Sequence, residues 1–295
     1  MYEAISANKR NSVILIILFI LFISALGYFF GIYIGDIYIG VFIAAFISII
    51  YAVIMYFTGD RMILTLSRAK PVTKQEYPHL FHTVEGLAIA AGIPTPKLYI
   101  IDDTAINAFA TGRSPEHAAI TVTKGCIDKL NRTELEGVIA HEMSHIKNYD
   151  IRIMMLTVIM VGIALLLSDF ILRSFLWGGG RKRESGGSAG AILIVLGLVL
   201  ALLTPLIAEL MKLAISRKRE YLADADGALL TRYPPGLADA LKKIRDDNEP
   251  LVEAANKATA HLFIENPLKK KKGKVKSLFS THPDINDRIK RLEAM

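Results

Sequence analysis

The stretch VIAHEMSHIKNYD, residues 138–150, decides how the rest of the chain is read. Before it stands NRTELEG, in which Thr133 and Glu136 form the T-x-x-E arrangement that opens a helix; Leu135, Val138, Ile139 and Ile146 then recur at helical spacing. On such a helix His141 and His145 lie one turn apart on the same face, so both rings can reach one tetrahedral ion. Glu142 sits about 100° round from His141, near enough to act on a water at that ion without binding it. The pattern is H-E-x-x-H. Chance places it in roughly one chain in a hundred of this length, so two ordinary helical histidines stay open as the plain alternative.

Outward from that helix the chain is too apolar for a purely soluble fold. Of its 295 residues 52% are hydrophobic, and the mean hydropathy is +0.38. Four apolar stretches account for this, at 13–35, 37–57, 153–172 and 191–211. The first two carry no charge and exceed the roughly 20 residues that cross a hydrocarbon core. The third carries Asp169, and the fourth Pro205 and Glu209, so these read either as spans or as a hairpin packed on protein and the interface. Lys9 and Arg10 precede the first stretch as in a signal peptide, but its length and the absence of a small-x-small cleavage site make it an anchor. The one cysteine, Cys126, excludes an internal disulfide and fits a reducing compartment. The net charge of +7 lies beside apolar runs without aromatic interleaving, which favours a lipid bilayer over nucleic acid as partner.

The chain thus divides into an N-terminal transmembrane hairpin (1–58), a catalytic segment bearing the H-E-x-x-H helix (59–150), a second transmembrane hairpin (151–211) and a polar C-terminal segment (212–295). Lys9 and Arg10 before the first hairpin, and Arg61, Arg68, Lys70 and Lys74 after it, place both flanks on the cytoplasmic side of a multi-pass protein of the cell membrane. The link at 173–190, with four basic residues and one acidic, conflicts with that rule if the last two stretches cross. Within the polar segments, YPHLFHTVEGLAIAAG reads as a helix stopped by Gly92 and Pro94. PKLYIID, NAFATG and AAITVTKG read as strands, the last two joined by the turn RSPEH. The run NPLKKKKGKVK at 266–276 holds six lysines and reads as a loop, either solvated or touching anionic headgroups.

A metal site needs a third ligand. AELMKLAISRKREYLADADGALL, residues 208–230, extends the fourth apolar stretch as a helix with Glu220 and Asp224 on one face. His145 precedes the apolar onset at 153 by eight residues and Glu220 follows Met211 by nine. Straight helices would therefore carry the two groups roughly 12 and 14 Å from the membrane, at similar heights. A charged interfacial face explains Glu220 equally well at this point.

HEMSHIKNYD, then SRKREYLADADGA after an apolar hairpin, then FSTHPDINDRIKRL, closely resemble the HtpX-type membrane zinc metalloproteases, relatives of the CAAX prenyl proteases. That resemblance spans nearly the whole chain. It implies one zinc ion per chain, held by His141, His145 and Glu220, with Glu142 as the catalytic carboxylate and Asp224 on the aspartate of E-x-x-x-D. It further implies cleavage of misfolded or damaged membrane proteins at the cytoplasmic face, in stress response and quality control. Asp224 is expected to accept a hydrogen bond from a ligand histidine, or else to pair with Arg217 or Arg219. His282 and Asn107 fall in segments resembling substrate-contacting parts of the family and are candidates to stabilise an oxyanion, although a lone histidine is more often structural. Arg288 either assists there or anchors the C-terminal helix. The strand at Ala108, Phe109 and Ala110 is expected to offer an edge to an extended peptide. The fold expected is a mainly α membrane protein, with transmembrane helices plus a zincin-like helical catalytic domain and a small β-sheet. Two other classes remain open: a noncatalytic metal-binding adaptor for unfolded clients, which has no use for Glu142, and a transporter working through Asp169 and Glu209.

Overall fold

The computed structural model describes residues 2–163, 216–247, 249, 262–264 and 283–295. Helices α1 (Tyr2–Ile34) and α2 (Ile37–Leu66) pack side by side. Asp36 turns the corner between them, its carboxylate accepting from the amides of Tyr38 at 3.0 Å and Ile39 at 3.1 Å. Large apolar side chains face outward along both, with Phe42 72% and Leu21 60% exposed. Such a surface is costly in water and natural in lipid, and both helices are long and apolar enough to cross a membrane. With 30 residues α2 is about 45 Å long, some 15 Å more than a hydrocarbon core requires. Its last turns therefore stand clear of the apolar run, and Ile63 and Leu64 are buried in the main core. The division expected after residue 58 falls inside this unbroken helix.

Where the apolar run of α2 ends, Arg113 donates from Nη1 to the Phe57 carbonyl at 3.4 Å, and Arg152 lies over the Tyr56 ring. Cations and aromatic rings at one level are what an interface selects.

Four strands follow the order β1-β2-β4-β3: β1 (Lys70–Pro71), β2 (Lys97–Ile101), β3 (Ala108–Gly112) and β4 (Ala118–Thr123). β2 and β4 run parallel, Lys97 opposite Ala119; β3 and β4 form an antiparallel hairpin, Ala108 opposite Val122. The three strands read from the sequence are present. The short β1 and helix α4 (Lys124–Lys129) carry no periodic signal of their own. Helix α3 (Pro78–Ala91) starts with proline in its first turn and stops at left-handed Gly92, as the sequence predicts.

Helix α5 (Arg132–Lys147) begins earlier than expected. Asn131, not Thr133, is the cap: its side chain accepts from the Glu134 amide at 2.9 Å while Glu134 accepts from the Asn131 amide at 2.7 Å. Asn131 already has the extended backbone a cap needs, whereas Thr133 is within the first turn. α5 ends at Asn148, Tyr149 takes a left-handed φ of 61°, and helix α6 starts at Asp150 and is described to 163. The remainder of the third apolar stretch, all of the fourth and the lysine run lie outside the described residues. α6 packs Ile153, Leu156 and Met160 against Leu15 and Phe19 of α1.

Helices α7 (Arg217–Thr231) and α8 (Pro234–Asp246) close over α5, and α9 (Ile285–Glu293) packs on both. Two glycines set these distances. A Cβ on Gly137 would sit 2.6 Å from the Leu237 nitrogen, and one on Gly227 would sit 3.0 Å from the His141 nitrogen. Only a hydrogen at those points lets α8 and α7 approach the metal-candidate helix so closely.

Straight helices do not carry the site. Ser216 is extended, with φ −104° and ψ 117°, so the helix bearing Glu220 starts anew there rather than continuing the fourth apolar stretch; Tyr149 interrupts the other route. Unbroken helices rising to equal heights, as the sequence predicts, are therefore not what brings the two groups together.

Candidate metal centre

His141 and His145 face inward from α5, their rings edge to face at 4.8 Å between centroids. Their Nε2 atoms are 3.2 Å apart. Glu220, in the first turn of α7, brings one carboxylate oxygen to 3.8 Å from His141 Nε2 and the other to 3.6 Å from His145 Nε2. All three groups are buried, and one donor atom from each lies within 4.8 Å of the others. Two ligands at about 2.05 Å from a tetrahedral ion stand roughly 3.3 Å apart, so the paired nitrogens already have the spacing that one zinc-sized ion asks for. With Glu220 these two histidines make the three residues that would hold such an ion. The donor set fits the ion.

Each imidazole is held from behind by a carboxylate. Asp224, one turn beyond Glu220, stands 3.0 Å from His141 Nδ1, and Asp150 stands 3.0 Å from His145 Nδ1. A proton on each Nδ1, donated to those oxygens, leaves both Nε2 lone pairs pointing to one centre. The sequence anticipates Asp224 in this place, and its guanidinium partner is Arg288 rather than Arg217 or Arg219. Asp150 was not anticipated. It lies in the opening stretch, but only the left-handed Tyr149 folds the chain back far enough for it to meet His145. An aspartate just past a helix-ending Asn-Tyr pair was the available signal.

Arg288 reaches in from α9 and is fully buried. Its Nε donates to Asp224 Oδ2 at 2.9 Å, its Nη2 to Asp224 Oδ1 at 2.7 Å, and its Nη1 to the Ile264 carbonyl at 3.1 Å. These bonds tie the C-terminal helix to Asp224, which is the anchoring role the sequence allows for Arg288. His282 lies outside the described residues.

Charge follows from this packing. Burial lowers the His141 pKa, opposed by Asp224 and reinforced by Arg288. For His145 burial also disfavours the cation, yet the Asp150 hydrogen bond and the Glu220, Asp150 and Glu142 carboxylates outweigh it and raise the pKa to about 9. Burial raises Glu142 to about 7, with the Ala110 amide and the His145 and Arg288 charges opposing. A divalent ion must therefore displace the proton that His145 carries between the two Nε2 atoms. Apparent affinity for the ion is expected to climb about tenfold per pH unit from about pH 6 to 9 and level off above, in chelator competition on the metal-stripped protein. A flat profile would contradict that protonation state.

β3 is at the end of the sheet beside Glu142, but all five of its residues are buried. The Ile264 amide donates to the Ala108 carbonyl at 3.0 Å, and Phe263 packs edge to face on Phe109 at 5.1 Å. The side chains of Ala108, Phe109 and Ala110 are core rather than an exposed edge, because segment 262–264 covers them. Asn107 is bonded into the sheet: its carbonyl accepts from the amide of Thr123 in β4 at 3.0 Å, and its Oδ1 accepts from the Ala108 amide at 3.1 Å. Cys126 is buried, its thiol donating to the Asn107 carbonyl and its pKa pushed up to about 12 by burial, which excludes it as a nucleophile.

Peptidase family M48 matches residues 74–295, three quarters of the sequence and every residue of this cluster. The chain belongs to that family. As an M48 member it is a metalloprotease, a hydrolase, and the buried His-His-Glu cluster is the place where a metal fits. Similar proteins include the Protease HtpX homolog of Dictyoglomus thermophilum, 48% identical over 100% of this chain and 94% of that protein. The Protease HtpX homologs of Listeria monocytogenes serotype 4a and Streptococcus uberis are 44% and 42% identical, each over 100% of both chains. In fold the chain is similar to the crystal structure of S. mikatae Ste24p, with a TM-score of 0.51 and 22% identity. That likeness covers 97% of this chain and 63% of the longer one. The HtpX resemblance and the mainly helical fold with a small sheet stand; with two membrane-capable helices, this M48 protein is membrane-associated.

Proposed function

We propose that the chain is a zinc metalloendopeptidase of the cell membrane, cleaving misfolded or damaged proteins at the cytoplasmic face. The observation that carries this reading is the convergence of His141, His145 and Glu220 on one centre with Glu142 beside it. His141, His145 and Glu220 hold zinc, which supplies a Lewis acid that polarises the scissile carbonyl and acidifies water. Glu142 takes a proton from the attacking water and returns it to the departing amine, a role its buried place beside the three ligand residues suits. Asp224 and Asp150 fix the tautomers of the two ligand histidines, and Arg288 holds Asp224 in place. In β3, alternate residues turn their amides and carbonyls away from β4, and an extended substrate pairs with the Ala110 carbonyl beside Glu142, the Ala110 amide being held by Glu142 and the Ala108 carbonyl by Ile264. Backbone pairing asks little of side chains, so unfolded segments near the bilayer are suitable clients. Lys9, Arg10, Arg61, Arg68, Lys70 and Lys74 support a cytoplasmic position for this domain.

The test uses the full chain in detergent. Unfolded casein is expected to be cut by zinc-loaded protein, spared after chelation and cut again when zinc is returned. Cleavage that persists through chelation overturns the proposal, and zinc binding with client binding but no cleavage points to the adaptor.

A further inference from the structure

The apolar helix α1 does more than anchor the chain. Near its start, five residues ahead of the apolar run, Asn8 is buried at 5% exposure. Its Nδ2 donates to the Asn148 carbonyl at 2.8 Å and to Asp150 Oδ1 at 2.5 Å. Both partners are acceptors, so the amide nitrogen must be the atom that faces them. The other oxygen of Asp150 takes the Nδ1 proton of His145. One line of hydrogen bonds therefore runs from α1 through Asp150 to a candidate metal ligand 137 residues away in sequence.

The turn at 148–150 needs such support. Asn148 closes α5, where last-turn carbonyls have no partner within the helix, and Tyr149 is left-handed. Nothing in that local backbone fixes the Asp150 carboxylate. Asn8 ties the carbonyl and the carboxylate together with a single NH2 group, and its neighbour Lys9 lies over the Tyr149 ring at 4.3 Å. The chemistry of residue 8 suits orientation: a neutral amide hydrogen-bonds Asp150 Oδ1 at a fixed angle, while charge at that oxygen is supplied by Arg219 Nη1 at 3.9 Å. An aspartate there would repel Asp150.

We propose that Asn8 is a positioning residue of the metal centre, holding His145 in its ligating orientation through Asp150. This rests on the zinc reading above. The experiment measures zinc dissociation constants of full-length protein in detergent by chelator competition, with cobalt substitution reporting ligand geometry in the visible spectrum. Asn8→Ala is expected to weaken zinc about three- to tenfold and to alter the cobalt spectrum, and Asp150→Asn to weaken it about 10- to 100-fold. In the double variant Asn8→Ala adds nothing, because its route runs through Asp150. Ser12→Ala, which deletes a buried hydrogen bond from Ser12 Oγ to the Asn8 carbonyl and touches neither Asp150 nor His145, keeps wild-type affinity and spectrum. The inference is overturned if Asn8→Ala leaves affinity and spectrum unchanged, if its effect adds fully to that of Asp150→Asn, or if Ser12→Ala weakens zinc equally. If Asn8→Ala does not fold, Asn8→Ser, a shorter donor, is read by the same criteria. His145→Ala separates the two levels: if it retains zinc, the metal reading fails; if it loses zinc while Asn8→Ala does not, only the role of Asn8 fails.

Discussion

Glu142→Gln is expected to lower cleavage of unfolded protein by about 10²- to 10⁴-fold while bound zinc stays at wild-type stoichiometry. Glutamine keeps the shape of the side chain and an oxygen for the Ala110 amide, and removes the carboxylate's capacity to take a proton. The stability of the metal-free protein should move in the opposite direction. Burial is the main cause of the raised Glu142 pKa of about 7, against about 4.3 in an unfolded chain. The folded state thus favours the neutral acid, so this site contributes most at pH below about 4.3. That contribution is lost as the pH rises through 7, by roughly 4 kcal/mol in total. Above pH 7 the buried carboxylate is a net cost, and glutamine removes it. Metal-free Glu142→Gln should therefore melt higher than metal-free wild type at pH 8 and show little gain at pH 5. Loss of zinc together with activity would make Glu142 a ligand; undiminished cleavage would end its role as base.

Arg288→Leu is expected to cost about 3–5 kcal/mol of stability, a large part of what holds an ordinary domain folded. The guanidinium is fully buried and gives Asp224 two hydrogen bonds, at 2.9 and 2.7 Å, so its removal leaves a carboxylate that is only 2% exposed with neutral His141 as its partner and no cation on it. Burial alone would raise the Asp224 pKa; Arg288 and His141 overcome that and hold it well below the usual carboxylate range. A depressed folded pKa means stability that is present above about pH 4 and lost as the pH falls below it. Arg288→Leu should therefore flatten the acid limb of the wild-type melting profile. Arg288→Leu with Asp224→Leu should recover part of the stability, since the Asp224 charge leaves with its partner while Glu220, 3.7 Å from Arg288 Nη1, still loses a cation, but not the zinc affinity, because His141 Nδ1 has lost its acceptor. Thermal unfolding and chelator competition on both singles and the double separate these effects. A double variant as unstable as Arg288→Leu would place the cost elsewhere.

Much of this arrangement was legible in advance because it is local. Four-residue spacing puts His141 and His145 on one face, and the same spacing puts Asp224 behind Glu220. Apolar runs longer than a bilayer is thick gave the two long helices, and turn residues gave three of the four strands. Breaks in the helices were hidden, since Tyr149 and Ser216 carry no proline or glycine to mark them. Thr133 carries the same signature as a cap, and local pattern alone does not rank it below Asn131, two residues earlier. The expected open edge of β3 was read from the strand alone, and Phe263 and Ile264, which cover it, come from a segment that follows about 150 residues later.

By itself the sequence determined what is periodic or adjacent: membrane-capable helices, the H-E-x-x-H face, the small sheet and the kinship with M48 proteases. Tertiary structure alone decided which charges meet. Asp150 reaches His145 through one left-handed residue, Arg288 reaches Asp224 across 64 positions, and Asn8 reaches Asp150 across 142. The physical reason is that a buried charge must be matched wherever the chain can deliver a partner, and delivery depends on close helix packing at Gly137 and Gly227, which no local pattern encodes.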